Sequence, residues 1–546
     1  MKKISKYYII ILVLGLGFVS SCKKFSTLLD NPNAPTASQA DVDLYLNSVQ
    51  LSFASFYDQA EGLGAQLSRM TTFFGPTYTN GFSPQNFDGI WSTAYTGVFK
   101  NADAMITLAK LQQKNFHAGI GEVLKAYTMF TLVDLFGDVP YGEAVQGNDN
   151  TNPKVESGAS IYAKALVLLD TAISDLGKGS ASNPNNILFS TTSKAQWIKV
   201  ANSLKLKAYI TTRLVDPAAG SKIQALLTSG NVITSDADEF TFKYGTQQST
   251  PNSRHPRFND GYNPQNSPNS YLGTYFLHAV AIEKGITDPR VRYYFYRQTL
   301  SVPGTQQQQP CAYQSAPANY PAGTPFCYVG VGYWGRDHGD NSGTPPDGGL
   351  RTVFGVYPAG GKFDCSDNVA VKLNDGGQGA GIWPIWMSFF TDFVTAEAAL
   401  TTTGVTANPR TALLNGVTKS ITRVLSFPSQ INVTPCTLRI PSQAVIDKYI
   451  AFVMSQYDAA TTNDTKLDVV LKEFYLALWG NGLESFNMYR RSSRPRNLQP
   501  TFQASPGPFI RSFLYPSVNV NLNSNAQQKP NMAVKVFWDK NPDPLF

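Results

Sequence analysis

The chain changes its pattern twice. Residues 41–215 and 384–480 carry apolar side chains at helical spacing, whereas residues 241–381 are rich in Gly, Pro, Asn, Gln and aromatics. A fold for this chain must therefore place an irregular segment between two blocks of helix. The clearest stripe lies in ASIYAKALVLLDTAISDL (159–176), where Tyr162, Ala165, Leu166, Leu169, Ile173 and Leu176 share one face. The same spacing predicts helices over 41–59, 87–113, 119–136 and 193–215, with Ser193 as an N-cap. It predicts four more over 384–402, 408–425, 441–459 and 465–480.

Paired helices of this length imply a mainly α fold: a stack of helical hairpins similar to tetratricopeptide repeats, with no clean 34-residue period. The middle stretch carries too many aromatics for a disordered linker, so it reads as an irregular, loop-rich insertion with ordered loops and short strands. The expected division is one domain over 41–546. Its helical parts cover 41–240 and 382–483, the insertion 241–381, and an irregular C-terminal part 484–546.

The first 22 residues address the chain. Lys2, Lys3 and Lys6 precede a twelve-residue apolar run, YYIIILVLGLGF. A spanning helix needs roughly 20 apolar residues, so this run reads as an export signal over 1–21. It ends in VSSC. Small residues followed by Cys resemble the lipobox of bacterial lipoproteins, in which Cys22 would become the acylated, palmitate-bearing N-terminus. Several acyl chains together anchor a protein stably. Residues 22–40 then form an Asn-, Pro- and Ser-rich tether.

From Cys22 the chain has about 525 residues, enough for two lobes or a large helical domain with insertions. The formal charge of +7 includes three signal lysines, which leaves +4 and argues against a nucleic-acid partner. Only 15% of residues are charged, a composition suited to neutral ligands outside the cell. Four cysteines follow the lipobox: Cys311, Cys327, Cys365 and Cys436. An even number in an exported chain permits disulfides. Three pairings are possible; the most local, Cys311–Cys327 with Cys365–Cys436, is favoured.

Three further stretches stand in order: LVDLFGDVPYGEA (132–144), AEAAL (396–400), and RSFLYPSVNVNLNSN (511–525) leading to KVFWD (535–539). With the lipobox and the NPNAPT tether, they resemble the SusD/RagB-like lipoproteins of Bacteroidetes, closest to the SusD-like 2 branch. The resemblance implies tetratricopeptide-like helical pairs supporting a loop-rich lobe on the outer face of the outer membrane. It implies no enzyme activity. It also implies capture of an oligosaccharide or peptide for a SusC-like TonB-dependent barrel. Lys23 and Lys24 depart from the acidic residues often found after the lipid-bearing Cys in surface-displayed members.

Signatures of catalysis are missing. No HExxH or GxSxG occurs, and GVYPAGGKF (355–363) has Phe363 where a P-loop needs Ser or Thr. His117 reads as a surface residue, and His255 as a loop hydrogen-bonder. In LVDLFGDVPYGEA, Gly137 suits a left-handed C-cap, and Asp138 and Glu143 suit capping better than acid–base work. GYWGRDHGDNSGTPPDGG (332–349) fails the EF-hand pattern; Asp337, Asp340 and Asp347 leave a possible non-EF calcium site, with no other cofactor expected. The same loop offers Tyr333 and Trp334 for stacking on sugar C–H faces, and Arg336, Asp337, His338 and Asp340 for hydrogen bonds. A second candidate is TTFFGPTYTNGFSPQNF (71–87), with Tyr78, Asn80 and Phe82. The alternatives to a binding lipoprotein are a secreted hydrolase built on scattered carboxylates and a helical-repeat scaffold for proteins.

Overall fold

Two short strands bracket the insertion. In the computed structural model, Phe240–Lys243 pairs antiparallel with Ile382–Trp386, in a register that sets Phe240 opposite Trp386 and Lys243 opposite Ile382. The irregular segment therefore leaves and rejoins the helical part through one two-stranded gate. The structure describes residues 41–189, 193–263, 271–301, 311, 314–342 and 347–542. The signal segment, Cys22 and the tether lie outside the described residues.

The helical scaffold runs through α1 (Val42–Leu67), α2 (Lys100–Leu111), α3 (Asn115–Phe136), α4 (Gly158–Gly177), α5 (Lys194–Thr212) and α6 (Ala219–Ser229). After the insertion it resumes with α7 (Ser388–Thr401), α8 (Pro409–Gln430), α9 (Gln443–Ala459), α10 (Asn463–Ala477) and α11 (Gly482–Ser492). Successive helices pack as hairpins, α2 on α3, α3 on α4, α4 on α5 and α7 on α8, the tetratricopeptide-like arrangement. One apolar cluster extends from Val42 to Trp538 and includes side chains from both helical blocks and the insertion. Among the described residues no helix is long and apolar enough to cross a membrane.

Several local expectations need correction. The 87–113 stretch is not one α-helix: Asp88–Ser92 passes into a π-helical Thr93–Phe99 before α2 begins. Segment 484–546, read as irregular, holds most of α11. Its sequence GLESFNMYRRS hides the amphipathic pattern because Arg490 and Arg491 are buried along with the apolar residues. The insertion contains short helices at Pro256–Tyr262 and Thr274–Ala281 as well as strands. Gly137 caps α3 with φ 79° and ψ −120°, a positive-φ conformation outside the left-handed helical well. His117 is fully buried, with Nε2 3.1 Å from Asp43. Ser193 stands at the N-cap of α5 without a capping hydrogen bond from its side chain.

The stretches LVDLF, AEAAL and KVFWD turn out to be polar joints in the core. Asp134 in α3 has no exposed surface. Its carboxylate accepts hydrogen bonds from the Tyr162 hydroxyl, from Trp538 Nε1 at 3.0 Å, from Asn487 Nδ2 at 2.7 Å and from Lys207 Nζ at 3.3 Å. Glu397 of AEAAL receives Arg491 through two bonds of 2.9 Å and lies 3.1 Å from Arg213. Asp138 caps α4 by accepting from the Gly158 N–H at 2.7 Å. Glu143 accepts from the Lys154 N–H at 3.1 Å, so this pair serves the turn and does not form a carboxylate dyad.

Close backbone approach fixes where α1 meets α11. A Cβ on Gly482 would lie 2.1 Å from Ala65 N, and one on Gly64 would lie 2.3 Å from the Gly482 carbonyl oxygen. Only glycine at both positions permits this crossing.

Replacing Asp134 by Ala removes the acceptor from four donors and leaves Lys207 with only Glu484, 3.7 Å away. Breaking a buried ion pair in this way costs about 3–5 kcal/mol. Asp134→Ala is therefore expected to shift the denaturation midpoint strongly downward, and Asp134→Asn less so, in a urea titration followed by circular dichroism.

Candidate functional site

Three loops meet at one face: residues 71–87, residues 319–342 of the insertion, and residues 499–509. Backbone bonds join them. The Gly339 N–H donates to the Phe73 carbonyl at 2.9 Å, Phe502 N–H to His338 at 2.7 Å, and Tyr78 N–H to Pro506 at 2.9 Å. The structure links Cys311 to Cys327 and Cys365 to Cys436. The first bond closes the loop that carries the middle segment of this cluster.

Tyr333, Trp334, Arg336, Asp337, His338, Asp340 and Asp347 of GYWGRDHGDNSGTPPDGG are buried. Tyr333 and Trp334 form a short strand antiparallel to Tyr328–Gly330 and are 5% and 4% exposed. The Trp334 indole N–H donates to the Ser301 carbonyl at 3.3 Å, and the Arg297 guanidinium lies 4.9 Å over the Tyr333 ring. Arg336 binds Asp340 at 3.0 Å and stacks on Phe74. His338 is buried, which holds its pKa well below the usual imidazole range, and its Nε2 sits 3.3 Å from the Tyr78 hydroxyl. Tyr78 and Phe82 are also buried, Phe82 stacking on Phe73 at 4.9 Å. Of the nine residues expected to meet a ligand, only Asn80 is exposed, on the short helical turn Tyr78–Gly81.

The expected calcium set is not assembled. Asp340 is taken by Arg336 and Ser342, Asp347 by the Tyr271 hydroxyl and the Gly349 N–H, and Asp337 by Cys327 and Tyr320. Among the described residues no group of three or more His, Cys, Asp or Glu side chains is placed to hold a metal ion.

The aromatic rings that do reach solvent are others. Tyr320, Phe326, Tyr328 and Phe502 are each half-buried. Phe326 and Phe502 lie nearly parallel at 6.1 Å, and Tyr320 meets Phe326 edge-on at 6.3 Å. Tyr328 is stacked at 4.4 Å and 20° on Trp334, which therefore backs an outward ring from within. Phe74 adds a further half-buried ring, backed by Arg336 at 5.0 Å. The sequence held a signal for these residues: Phe326 and Tyr328 flank Cys327, the second cysteine of a local pair. Flat rings with rigid support can take the C–H face of a sugar, while exposed amides such as Asn80 and Asn86 supply hydrogen bonds.

Beneath these rings lies Asp337, 3% exposed. Burial raises its pKa from 3.8 to about 6, against the pull of hydrogen bonds from Thr274, the Cys327 N–H, Tyr320 and Gln499. Burial and the neighbouring Asp337 together push the Tyr320 hydroxyl up.

The fold is a helical-hairpin scaffold that carries a disulfide-stapled loop face with half-buried aromatic rings. The sequence matches the SusD-like 2 family, described as starch-binding and associating with outer membrane, over residues 32–328. The chain belongs to this family, whose members bind carbohydrate and are not enzymes. No curated protein matches the sequence. Among solved structures it is similar to one named a chitin-binding protein, with TM-score 0.67, 18% identity, 92% of this chain covered and 100% of the other. It is similar to a SusD/RagB family protein from Bacteroides thetaiotaomicron, with TM-score 0.65, 18% identity and coverage of 92% and 100%. It is also similar to a chitin-binding SusD homologue from Flavobacterium johnsoniae, with TM-score 0.63, 17% identity and coverage of 91% and 99%.

The raised pKa of Asp337 has a measurable sign. Its folded value of about 6 exceeds the ordinary 3.8, so its contribution to stability is fully present below pH 3.8 and is lost as pH rises through 6. A shift of this size corresponds to about 3 kcal/mol. Asp337→Asn lacks that loss. The Tm of Asp337→Asn minus that of the natural chain is expected to rise between pH 4 and pH 7 in scanning calorimetry. A flat difference would contradict the burial argument.

Proposed function

We propose that this chain is a surface lipoprotein, anchored through Cys22, that captures a neutral oligosaccharide on the aromatic loop face and passes it to a SusC-like TonB-dependent barrel. The observation that carries the reading is the set of half-buried rings Tyr320, Phe326, Tyr328 and Phe502, the first three on the segment held by the Cys311–Cys327 disulfide. Aromatic faces bind sugar rings without needing charge, in keeping with a chain of which only 15% is charged. Chitin oligomers are the first probe, because two similar structures are named for chitin binding. Malto-oligosaccharides are the second, from the description of the family. Unrelated peptides serve as the control class.

Isothermal titration of the mature chain with chitohexaose and maltoheptaose is expected to give saturable binding to one of them. Each stacked ring is worth on the order of 1 kcal/mol, so Phe326→Ala with Tyr328→Ala should weaken binding at least tenfold while the helical circular dichroism signal of the scaffold is unchanged. Binding of peptides alone would replace the glycan by a peptide ligand.

Anchoring and partnership are tested in cells. Labelled palmitate should enter the natural chain and not Cys22→Ser, which should leave the membrane fraction. A tagged natural chain should co-purify with a TonB-dependent barrel. Recovery without any barrel would remove the delivery step from the reading.

A further inference from the structure

Phe326 and Tyr328 stand on either side of a residue in an unfavourable conformation. Cys327 has φ 64°, a left-handed geometry that side-chain-bearing residues rarely adopt, and it is joined to Cys311. Such a residue persists only where its surroundings hold it. Here the partner of its N–H is the buried carboxylate of Asp337, at 3.1 Å. The other carboxylate oxygen accepts from the Tyr320 hydroxyl at 3.1 Å. One side chain beneath the surface thus grips the segment 320–328 at both ends.

Asp337 is itself held firmly. The next residue, His338, accepts from the Phe502 N–H, and Gly339 donates to Phe73. Gln499 Nε2 donates to the Pro325 carbonyl at 2.9 Å, and Asn319 Nδ2 to Thr501 at 2.9 Å. The loop that bears Phe502 is therefore tied to the same segment by independent bonds.

We infer that Asp337 is a positioning residue for the aromatic face: through Cys327 and Tyr320 it sets where Tyr320, Phe326 and Tyr328 present their rings, without touching the ligand. The inference rests on the glycan-binding reading. It reassigns Asp337 from a group that meets ligand to a buried anchor. A ring set that is already fixed loses less freedom on binding, and that difference is read as affinity.

The test compares Asp337→Asn, Tyr320→Phe and the double variant of the mature chain at pH 7.5, titrated with chitohexaose and maltoheptaose. Tyr320→Phe removes one oxygen and keeps the ring. Each single variant is expected to bind about fivefold to tenfold more weakly, and the double variant no more weakly than the weaker single one, because the Tyr320 hydroxyl acts through the Asp337 carboxylate. The Tm of Asp337→Asn should not fall at this pH, which separates positioning from simple loss of stability. Hydrogen exchange adds a readout that needs no ligand: amides of 320–330 should exchange faster in both variants, while those of α3 stay unchanged. Natural-like affinity in the variants, with binding intact in the natural chain, would overturn the positioning role and leave the glycan reading standing. Unchanged exchange over 320–330 would overturn it as well. Faster exchange over 320–330 in the variants, with a natural chain that binds neither glycan, would uphold the anchor and remove the glycan reading.

Discussion

The scaffold depends on a buried carboxylate that cannot be left unmatched. Asp134 has no access to water, and its charge is stabilised by four donors that come from α4, α5, α11 and the C-terminal segment. An isolated carboxylate in such a place would cost many kcal/mol, so the donors must all arrive for the core to close. Apolar packing alone tolerates sliding and repacking; a carboxylate with directional partners does not. The Glu397, Arg491 and Glu484 joint does the same work one layer away, tying α7 to α11. Arg490 extends the network by stacking 4.6 Å from the Trp538 ring while donating to Asn487.

This arrangement makes the segment around Trp538 part of the core. Trp538 is fully buried, and Asp539 is paired with Arg511. The C-terminal segment lies across helices from both blocks, on either side of the insertion in sequence. The insertion, in turn, is bracketed by the strand pair at 240–243 and 382–386. Its irregular loops therefore spring from a rigid frame. Two disulfides and the Asp337 bonds then fix the loops in detail.

Helix periodicity made nearly all of the scaffold legible, because one apolar face against one polar face leaves a 3.6-residue trace. It left out α6 and failed at α11, where Arg490 and Arg491 face inward and their charges are matched by Glu397, Glu484 and backbone carbonyls. Composition cannot distinguish a buried arginine from a solvated one. The same reason hides the burial of the loop residues. Trp334, Arg336 and His338 have the chemistry of a binding site, but each has partners inside the protein. A loop this rich in glycine needs internal side-chain contacts to hold one shape, and its most functional-looking residues supply them. Three of the rings that reach solvent, Tyr320, Phe326 and Tyr328, belong to a less conspicuous stretch, ANYPAGTPFCYVG, rich in small residues.

The division of labour follows from the physics of weak, neutral recognition. An uncharged ligand offers no long-range attraction, so affinity must come from shape, stacking and hydrogen bonds at contact. Each is small, and each is lost if the protein must first order its own loop. A fixed loop removes that cost before the ligand arrives. Inward polar residues and outward rings are thus two parts of one design: Trp334 stiffens Tyr328, Arg336 stiffens Phe74, and Asp337 holds the turn between Phe326 and Tyr328. Arg336, Asp337 and Asp340 serve the protein's own order, and the rings that reach solvent beside them carry no charge.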